Sequence, residues 1–270
     1  MTHSPSLMPT VFVGHGSPLT AFEDNPYVEA WADLGRRLPR PKAILMISAH
    51  WYTKGTAVTS ASRQKTIHDF YGFPEALYRF RYDAPGSPEL ASRTAALLAP
   101  TSVLQTESWG LDHGAWTVLM HAYPGAEVPV VQLSIDGTQP AQAHVEMGRR
   151  LAPLREEGVL VIGTGNVVHN LRLYDRTGQA PPNPLAERFR KTVRAQLEAH
   201  DHEGLARFME MGPEAQLAQP TPDHFLPLLY IAGLQRPDEA PEFITEVTMG
   251  AGVDMTTVLF GAPALEAAAA

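Results

Sequence analysis

Histidines stand at the ends of apolar, β-rich segments of this chain, or at the head of an apolar helix. Four of them share this placement: His15, His50, His169 and His224. Imidazole is a common metal ligand, and side chains at the carboxyl ends of strands in an open α/β sheet converge on one crevice. Residues far apart in sequence can therefore meet around one ion, so a metal site is the first hypothesis for this chain.

The chain contains no cysteine, which excludes disulfides, thiolate nucleophiles and cysteine-ligated zinc together. A metal would have to be held by His, Asp or Glu. There is also no Gly-x-Ser-x-Gly elbow, no Gly-Lys-Ser/Thr phosphate loop and no His-Glu-x-x-His helix. Ser17 lies beside His15 but lacks the strand–turn–helix context that a nucleophilic serine needs. The histidines are therefore the main candidates for catalytic or metal-binding residues.

A single histidine is more often a structural, hydrogen-bonded residue than a metal ligand, but several at similar positions make a metal site more favourable as an interpretation. His50 is the best single candidate, because it follows an apolar run and precedes the bulky pair Trp51 and Tyr52. His15 lies between two glycines, which fits a strand-end ligand or a plain glycine-rich turn. His169 follows a Gly-x-Gly sequence that matches a dinucleotide-binding loop only weakly, since the third glycine is missing.

His224 follows Asp223, which provides a helix cap, so we expect it in the first turn of a short buried helix. A helix start disfavours a charged imidazole, which suits a neutral ligand. His113, flanked by Gly, Asp and two Trp residues, could contact substrate or support a ligand. Asp112 and Asp223 are better placed to orient histidines than to act as a glycosidase-like pair. The other histidines are not expected to belong to the site. We expect His144, His200 and His202 in polar helical faces, His121 on the core side of a helix and His3 in a loose N-terminus, and His68 is undecided.

Alternating strands and helices must position these residues. The predicted strands are Thr10–Val13, Ala43–Ala49, Val128–Ile135, Val159–Gly163 and Thr256–Phe260, with a further one at Phe243–Met249. The predicted helices are Val28–Leu38, Ser87–Leu98, Gln139–Glu157 and Pro184–Ala199, with a weaker one at Glu203–Met211. This alternation predicts an α/β fold, a single domain whose central mixed sheet is flanked by helices on both faces.

The composition fits one large domain spanning residues 1–270, with its core over about 9–260: 44% of the 270 residues are hydrophobic and 19% are charged. A net charge of -8 argues against a nucleic-acid or anionic-membrane partner. No apolar run reaches the ~20 residues that span a bilayer. We expect a cytoplasmic protein, a monomer or small homo-oligomer.

The stretch 51–88 is predicted to be a long loop. Its aromatic residues form either a lid or substrate wall over the site, or part of an ordinary surface loop.

Six segments together resemble the class III extradiol aromatic ring-opening dioxygenases, in the DOPA 4,5-dioxygenase branch. The segments occur in the family's order from about Pro9 to Phe260. They are Gly14-His-Gly-Ser-Pro18, Ile47-Ser-Ala-His-Trp51, Asp69-Phe-Tyr-Gly-Phe-Pro74, Leu111-Asp-His-Gly-Ala-Trp116, Gly163-Thr-Gly-Asn-Val-Val-His-Asn170 and Asp223-His-Phe-Leu-Pro227. None is specific alone, but the set is.

The resemblance implies a mononuclear divalent metal held by His15, His50 and His224. It implies that His169 is the acid/base and can also approach the resting metal as a fourth ligand, and that His113 contacts substrate or oxygen. Many extradiol enzymes use two His and one carboxylate, whereas the third position here is His224. An all-His set suits Zn(II) as well as Fe(II). Because ring cleavage by O₂ needs a metal that shuttles electrons, Fe(II) is the expected catalytic ion and Zn(II) an expected bound one.

The leading hypothesis is therefore an extradiol dioxygenase that cleaves the ring of a DOPA-like catechol with O₂ to a ring-opened semialdehyde. Two alternatives remain at this point. One is a zinc-dependent hydrolase, in which the metal activates water. The other is a non-enzymatic metal- or peptide-binding module on the same scaffold, for which a spare base such as His169 would have no use.

Overall fold

An eight-stranded mixed sheet runs through the centre of the protein. The computed structural model describes residues 7–177 and 180–261. The strands are β1 (Thr10–Gly14), β2 (Ala43–Thr53), β3 (Thr56–Thr59), β4 (Val103–Thr106), β5 (Val130–Asp136), β6 (Val159–Gly165), β7 (Glu242–Thr245), β8 (Thr248–Met249), β9 (Val253–Asp254) and β10 (Thr257–Phe260). The sheet order is β4-β3-β5-β2-β6-β1-β10-β7, and β8 and β9 pair separately. The four central strands, β5, β2, β6 and β1, are parallel, so their carboxyl ends share one edge.

Helices cover the sheet on both faces. They are α1 (Pro26–Arg37), α2 (Glu75–Arg79), α3 (Pro88–Leu97), α4 (His113–Ala122), α5 (Ala141–Leu151), α6 (Pro153–Glu156), α7 (Pro184–Glu198), α8 (His202–Ala206), α9 (Pro213–Ala218) and α10 (Leu226–Leu234), with 3₁₀ turns at Pro18–Phe22 and Phe208–Glu210. Several helices begin as the sequence predicts, with Asn or Ser as cap and Pro in the first turn. Asn25 caps α1 and Ser87 caps α3 in this way.

Strand β2 shows how the two layers form. Leu45 and Ile47 pack in one core with α5, α7 and α10, whereas Ile44 and Met46 pack in the other with α1 and α4. Successive side chains of a strand point to opposite faces, so a continuous apolar run of this kind is typical of a strand buried on both sides. The predicted α/β fold, with a central mixed sheet between two helical layers, is confirmed.

Several predicted boundaries were wrong, most of them around 51–88. Strand β2 continues to Thr53, so His50 lies inside the strand and not beyond its end. The stretch 51–88 is also not all loop, because it contains β3 and α2. Both are only four or five residues long, too short for a periodic apolar pattern to reveal them.

Other boundaries also shifted. The sequence missed β4, an edge strand whose side chains are half-buried or exposed. The predicted helix Gln139–Glu157 is two helices, α5 and α6, because Pro153 cannot continue the hydrogen bonding of α5. The predicted strand Phe243–Met249 is likewise split into β7 and β8.

The first six and the last nine residues, including His3, lie outside the described part of the chain, so the domain limits 1–270 stay a prediction. Within the described residues, none of the helices combines the length and the apolar character needed to cross a bilayer.

Candidate active site

Five histidines converge on one cavity at the shared carboxyl edge of the central strands. The cavity has a volume of about 370 Å³, and its wall includes all five: His15, His50, His113, His169 and His224. Ring centroids lie 5.1 Å apart for His15 and His50, 3.9 Å for His50 and His113, and 5.1 Å for His50 and His224. Four of these are the histidines that strand ends and a helix start single out in the sequence, and His113 completes the group.

His15 is held by backbone contacts directly after β1. Its N–H donates to the carbonyl of Gly165 at 3.3 Å. The side-chain amide of Asn166, the residue after β6, donates to the carbonyl oxygens of His15 and Asp254, both at 2.8 Å. Asn166 thus joins the ends of neighbouring strands and fixes where the His15 ring, only 3% exposed, enters the cavity.

His50 reaches the cavity from β2, with both ring nitrogens facing polar groups. Its Nε2 lies 2.9 Å from Nε2 of His15. Its Nδ1 lies 3.4 Å from Oδ2 of Asp69. Since a carboxylate can only accept, the proton of a neutral His50 is favoured on Nδ1, which leaves the Nε2 lone pair directed at His15.

His113 is the first residue of α4 and faces the same carboxylate. Asp69 accepts from the backbone N–H of His113 through Oδ1 and pairs with its ring Nδ1 through Oδ2, both at 2.9 Å. Gly114 then allows close approach, since a Cβ there would lie 2.5 Å from Ser48 Oγ and 2.9 Å from Cδ2 of His50. The start of α4 can therefore pack directly onto the histidine cluster.

His224 lies two residues before α10, which corrects the prediction of a first-turn position. Its Nδ1 lies 2.5 Å from Oδ2 of Asp223, and its carbonyl accepts from the Asn166 N–H at 2.9 Å. Burial acts to raise the pKa of Asp223, but the hydrogen bond and charge interaction with His224 hold it below its usual value. The carboxylate is therefore ionised and keeps the His224 proton on Nδ1.

His169 stacks on His224, with ring centroids 3.4 Å apart and planes 6° from parallel. Its backbone N–H donates to the Ala218 carbonyl at 2.8 Å. Its ring nitrogens, by contrast, have no hydrogen-bond partner among the described residues. Unlike the other rings of the cavity, His169 is thus positioned by stacking and by its backbone, with both nitrogens free for a ligand.

Burial keeps three of these imidazoles, those of His15, His50 and His169, neutral in the metal-free protein. Desolvation and the neighbouring histidines lower the pKa of His15 and of His50 well below the ordinary value. The same causes, desolvation first and then His224, lower the pKa of His169 to about 3, although Asp223 opposes them. Neutral imidazole is the form that binds metals, so these three rings are in the ligating form at neutral pH.

The donor set fits a divalent cation. One ring nitrogen each of His15, His50 and His113 lies within 4.8 Å of the others, and the Nε2 atom of His224 is left free by its bond to Asp223. In the absence of a cation, the two Nε2 atoms of His15 and His50 must share one proton, because two lone pairs 2.9 Å apart repel. The Nδ1 atom of His15 is then buried without a partner in the described chain. A cation bound by these two Nε2 atoms would take the place of the shared proton.

The tightest nitrogen triad includes His113, whereas the set that the resemblance implies has His224 in its place. Both rings border the cavity, and His224 lies 5.8 Å from His15 between centroids, against 5.7 Å for His113. Distance alone therefore does not rank the two. Their carboxylate partners differ. Asp223 faces the ring of His224 alone among the cavity histidines, whereas Asp69 faces the rings of both His113 and His50.

The remaining histidines of the described chain lie outside the cavity. His144 and His202 are buried, so the prediction that they lie in polar helical faces was wrong. His144 binds the hydroxyl of Tyr230 and His202 binds the side chain of Gln235. His121 contacts the Ala21 carbonyl, and His68 contacts the Phe80 carbonyl. These partners come from distant parts of the chain, which helical periodicity does not report.

Sequence reasoning left two polar residues of the site without a role, Asp69 and Asn166. Asp69 lies beside His68 in an irregular segment, and Asn166 appears only as part of a Gly-rich strand end. Asp223 does contact His224 as predicted. Asp112 instead caps α4 and accepts from Ser48 and Gln132, and burial raises its pKa to about 6.

Aromatic and apolar side chains complete the cavity wall. Phe70 and Phe73, from the 51–88 stretch, line it together with Pro18, Leu171 and Val253. Phe70 is 7% exposed, whereas Tyr71 between them is 91% exposed. Only some of the predicted aromatic segment therefore forms a wall, and the space beside the histidines is suited to a flat apolar ring.

This combination of an α/β sheet and a histidine-lined cavity agrees with the family comparison. Residues 1–261 match the model of the catalytic LigB subunit of aromatic ring-opening dioxygenases. The chain belongs to this family, the class III extradiol dioxygenases, and is an extradiol ring-cleavage enzyme of the kind that the sequence motifs indicate. Members of the family use a divalent metal, and the buried histidine group could bind one.

Particular relatives narrow the comparison. The chain is 50% identical over 243 residues to the 4,5-DOPA dioxygenase extradiol of Escherichia coli K12, covering 85% of this chain and 86% of that protein. It is 38% identical over 255 residues to the 4,5-DOPA dioxygenase extradiol of Beta vulgaris, covering 90% and 93%. An uncharacterized E. coli K12 protein of known crystal structure superimposes with a TM-score of 0.82 at 43% identity, covering 93% of this chain and 99% of that one.

Proposed function

We propose that this enzyme cleaves the ring of a DOPA-like catechol with O₂ and releases a ring-opened semialdehyde acid. The observation that carries the proposal is the convergence of five histidines on a cavity walled by Phe70 and Phe73. The ring of one of them, His169, has no hydrogen-bond partner among the described residues. The names of the relatives support the catechol class.

His15, His50 and His224 would hold one divalent metal, with His169 near enough to His224 to serve as a fourth ligand in the resting enzyme. Fe(II) is the proposed catalytic ion, and Zn(II) suits the same nitrogen donors and binds more tightly in the usual order. When bound, the iron supplies a chelation site for the diol and O₂ and a path for electrons between them.

The chain's own residues would bind the substrate and move protons. Phe70 and Phe73 pack against the ring and exclude water, which fixes the diol toward the histidines. His169, which is neutral and whose ring makes no hydrogen bond to the described residues, accepts the second phenolic proton and later returns it as the ring opens. His113, whose Nδ1 faces Asp69, presents Nε2 to the substrate or oxygen. Both atoms of O₂ enter the product as the carbon–carbon bond beside the diol breaks, so no external reductant is needed.

The test is anaerobic reconstitution with Fe(II), followed by addition of O₂ and a panel of catechols that includes DOPA. We expect a yellow ring-opened product and uptake of one O₂ per product molecule, with no turnover by the Zn(II)-loaded chain. Failure with every catechol at full iron occupancy would refute the proposal. Turnover without oxygen by the zinc form would instead favour the hydrolytic alternative.

A further inference from the structure

One carboxylate faces two of the cavity's imidazoles. Oδ2 of Asp69 lies 2.9 Å from Nδ1 of His113 and 3.4 Å from Nδ1 of His50. The two histidines come from different elements, α4 and β2, and their ring centroids are only 3.9 Å apart. Asp69 is the point at which these elements and the segment that carries Phe70 and Phe73 meet.

Both oxygens of Asp69 face groups that can donate to them. Its side chain is 14% exposed, Oδ1 faces the backbone N–H of His113, and Oδ2 faces the ring Nδ1 atoms of His113 and His50. A carboxylate only accepts hydrogen bonds, so each nitrogen that faces it at this distance is favoured as an N–H.

We infer that Asp69 is a positioning residue which sets the tautomer of two histidines at once. It holds the protons of His50 and His113 on Nδ1, so both rings present an Nε2 lone pair to the cavity. In the proposed function, on which this role rests, His50 then binds the metal while His113 accepts a hydrogen bond from substrate or from oxygen-derived groups.

A second contact makes the arrangement rigid. Oδ1 of Asp69 accepts from the backbone N–H of His113 at 2.9 Å, one of the first-turn donors that a helix cannot satisfy by itself. The carboxylate is therefore fixed at both oxygens to the start of α4. A change in its acceptor capacity must be felt by the imidazoles, because the side chain has little room to turn away.

Asp69→Asn tests this with almost no change in shape. The amide has one acceptor and one donor group, so it cannot accept from both the backbone N–H and two ring N–H groups. With the oxygen on the backbone N–H, the NH₂ group faces the rings and requires an acceptor, which favours a lone pair on Nδ1. We expect His113, and His50 with it, to shift toward the Nε2–H form.

The direct readout is NMR of the metal-free protein labelled with ¹⁵N-histidine, since long-range proton–nitrogen couplings distinguish the two tautomers. In the wild type, His50 and His113 should both be protonated on Nδ1, and in Asp69→Asn the His113 signal at least should change. If the wild-type rings are protonated on Nε2, or if the variant leaves both tautomers unchanged, the inference is wrong.

Metal affinity gives a second readout. Loss of such an orienting carboxylate typically costs about 10- to 100-fold in affinity, so Zn(II) should bind Asp69→Asn that much more weakly in chelator competition. Asp83→Asn is the control, because Asp83 is exposed and lies in the same 51–88 stretch, and it should change neither readout. Affinity within twofold of wild type for Asp69→Asn would overturn the inference.

These readouts separate the role of Asp69 from the proposed function. A chain that cleaves no catechol yet shows the Nδ1–H tautomers and the loss of affinity would refute the function and support the positioning role. A chain that cleaves catechols with unaltered tautomers in Asp69→Asn would do the reverse.

Discussion

Three of the imidazoles in the cavity, those of His50, His113 and His224, have a carboxylate facing Nδ1. Among the described residues His15 and His169 have none, but the His15 ring still pairs with His50 through Nε2. At the scale of single residues, this difference in ring partners distinguishes His169 from the other four histidines. A histidine backed by a carboxylate keeps one lone pair aimed in one direction, which suits a ligand. A histidine with both nitrogens free can take up and release a proton as the substrate requires.

Two alanine variants test whether His50 and His169 have different roles. His50→Ala should lose both metal and turnover, because it removes a nitrogen at the centre of the cluster. His169→Ala should keep close to one metal per chain and lose activity by about 10²- to 10⁴-fold, the usual worth of a positioned acid/base. Metal content by elemental analysis and product formation with iron loaded are the measurements. Wild-type turnover in His169→Ala would show that another group moves the proton.

At the scale of elements, the site depends on the adjacency of β1, β6 and β2 and on a close approach to β6. Gly165 ends β6 beneath the backbone carbonyl of His224, and a Cβ there would overlap that carbonyl. The turn before α10 can therefore lie against the sheet only if position 165 has no side chain. Asn166 then bonds the same carbonyl and, through its amide, His15.

Gly165→Ala should push the His224 turn away from the sheet. We expect a loss of about 1–3 kcal/mol in the free energy of unfolding, typical of overpacking, and weaker metal binding because one ligand is displaced. Urea denaturation of the metal-free chain and chelator competition measure the two effects. Gly125→Ala is the matched control, since a Cβ there meets nothing closer than 3.4 Å. Unchanged metal binding in Gly165→Ala would mean that the turn can shift without moving the ring.

At the scale of the whole molecule, burial of neutral histidines links folding to pH. His144, fully buried on α5, has its pKa lowered to about 4 by desolvation, with Asp136 opposing the shift. The folded chain thus binds fewer protons than the unfolded chain between the two pKa values. The stability contributed by neutral His144 is complete above the unfolded value near 6.5 and is lost as the pH falls toward the folded value.

His144→Asn should reduce this pH dependence. Asparagine can still pair with the Tyr230 hydroxyl but does not titrate. We expect the variant to lose about 2 kcal/mol less stability than the wild type between about pH 7.5 and about pH 5, since one pKa unit corresponds to about 1.4 kcal/mol. Urea denaturation of both metal-free proteins at the two pH values gives the comparison. Equal losses would place the acid sensitivity elsewhere in the molecule.

The sequence predicted the fold class and the major central strands because those strands are long apolar runs buried on both faces. It failed for β3, β4 and α2, which are short and take their structure from neighbours. Four of the five cavity histidines stood out for their position after strands or before a helix, and His113 for its glycine and tryptophan neighbours. Asp69 begins one of the six family segments, but nothing local indicated its role, since it lies in an irregular segment and its partners are 19 and 44 residues away.

By itself the sequence determined the long central strands, the lack of thiols and the imidazole character of the cavity, because periodicity and residue type are local properties of the chain. Only the tertiary structure decided which carboxylate faces which ring, that His50 and His113 share Asp69, and that the His169 ring has no hydrogen-bond partner among the described residues. It also decided that His144 and His202 belong to the core. Each of these features depends on distances between segments that are far apart in the chain. Those distances result from the packing of strands β2, β6 and β1 against α4 and the turn before α10.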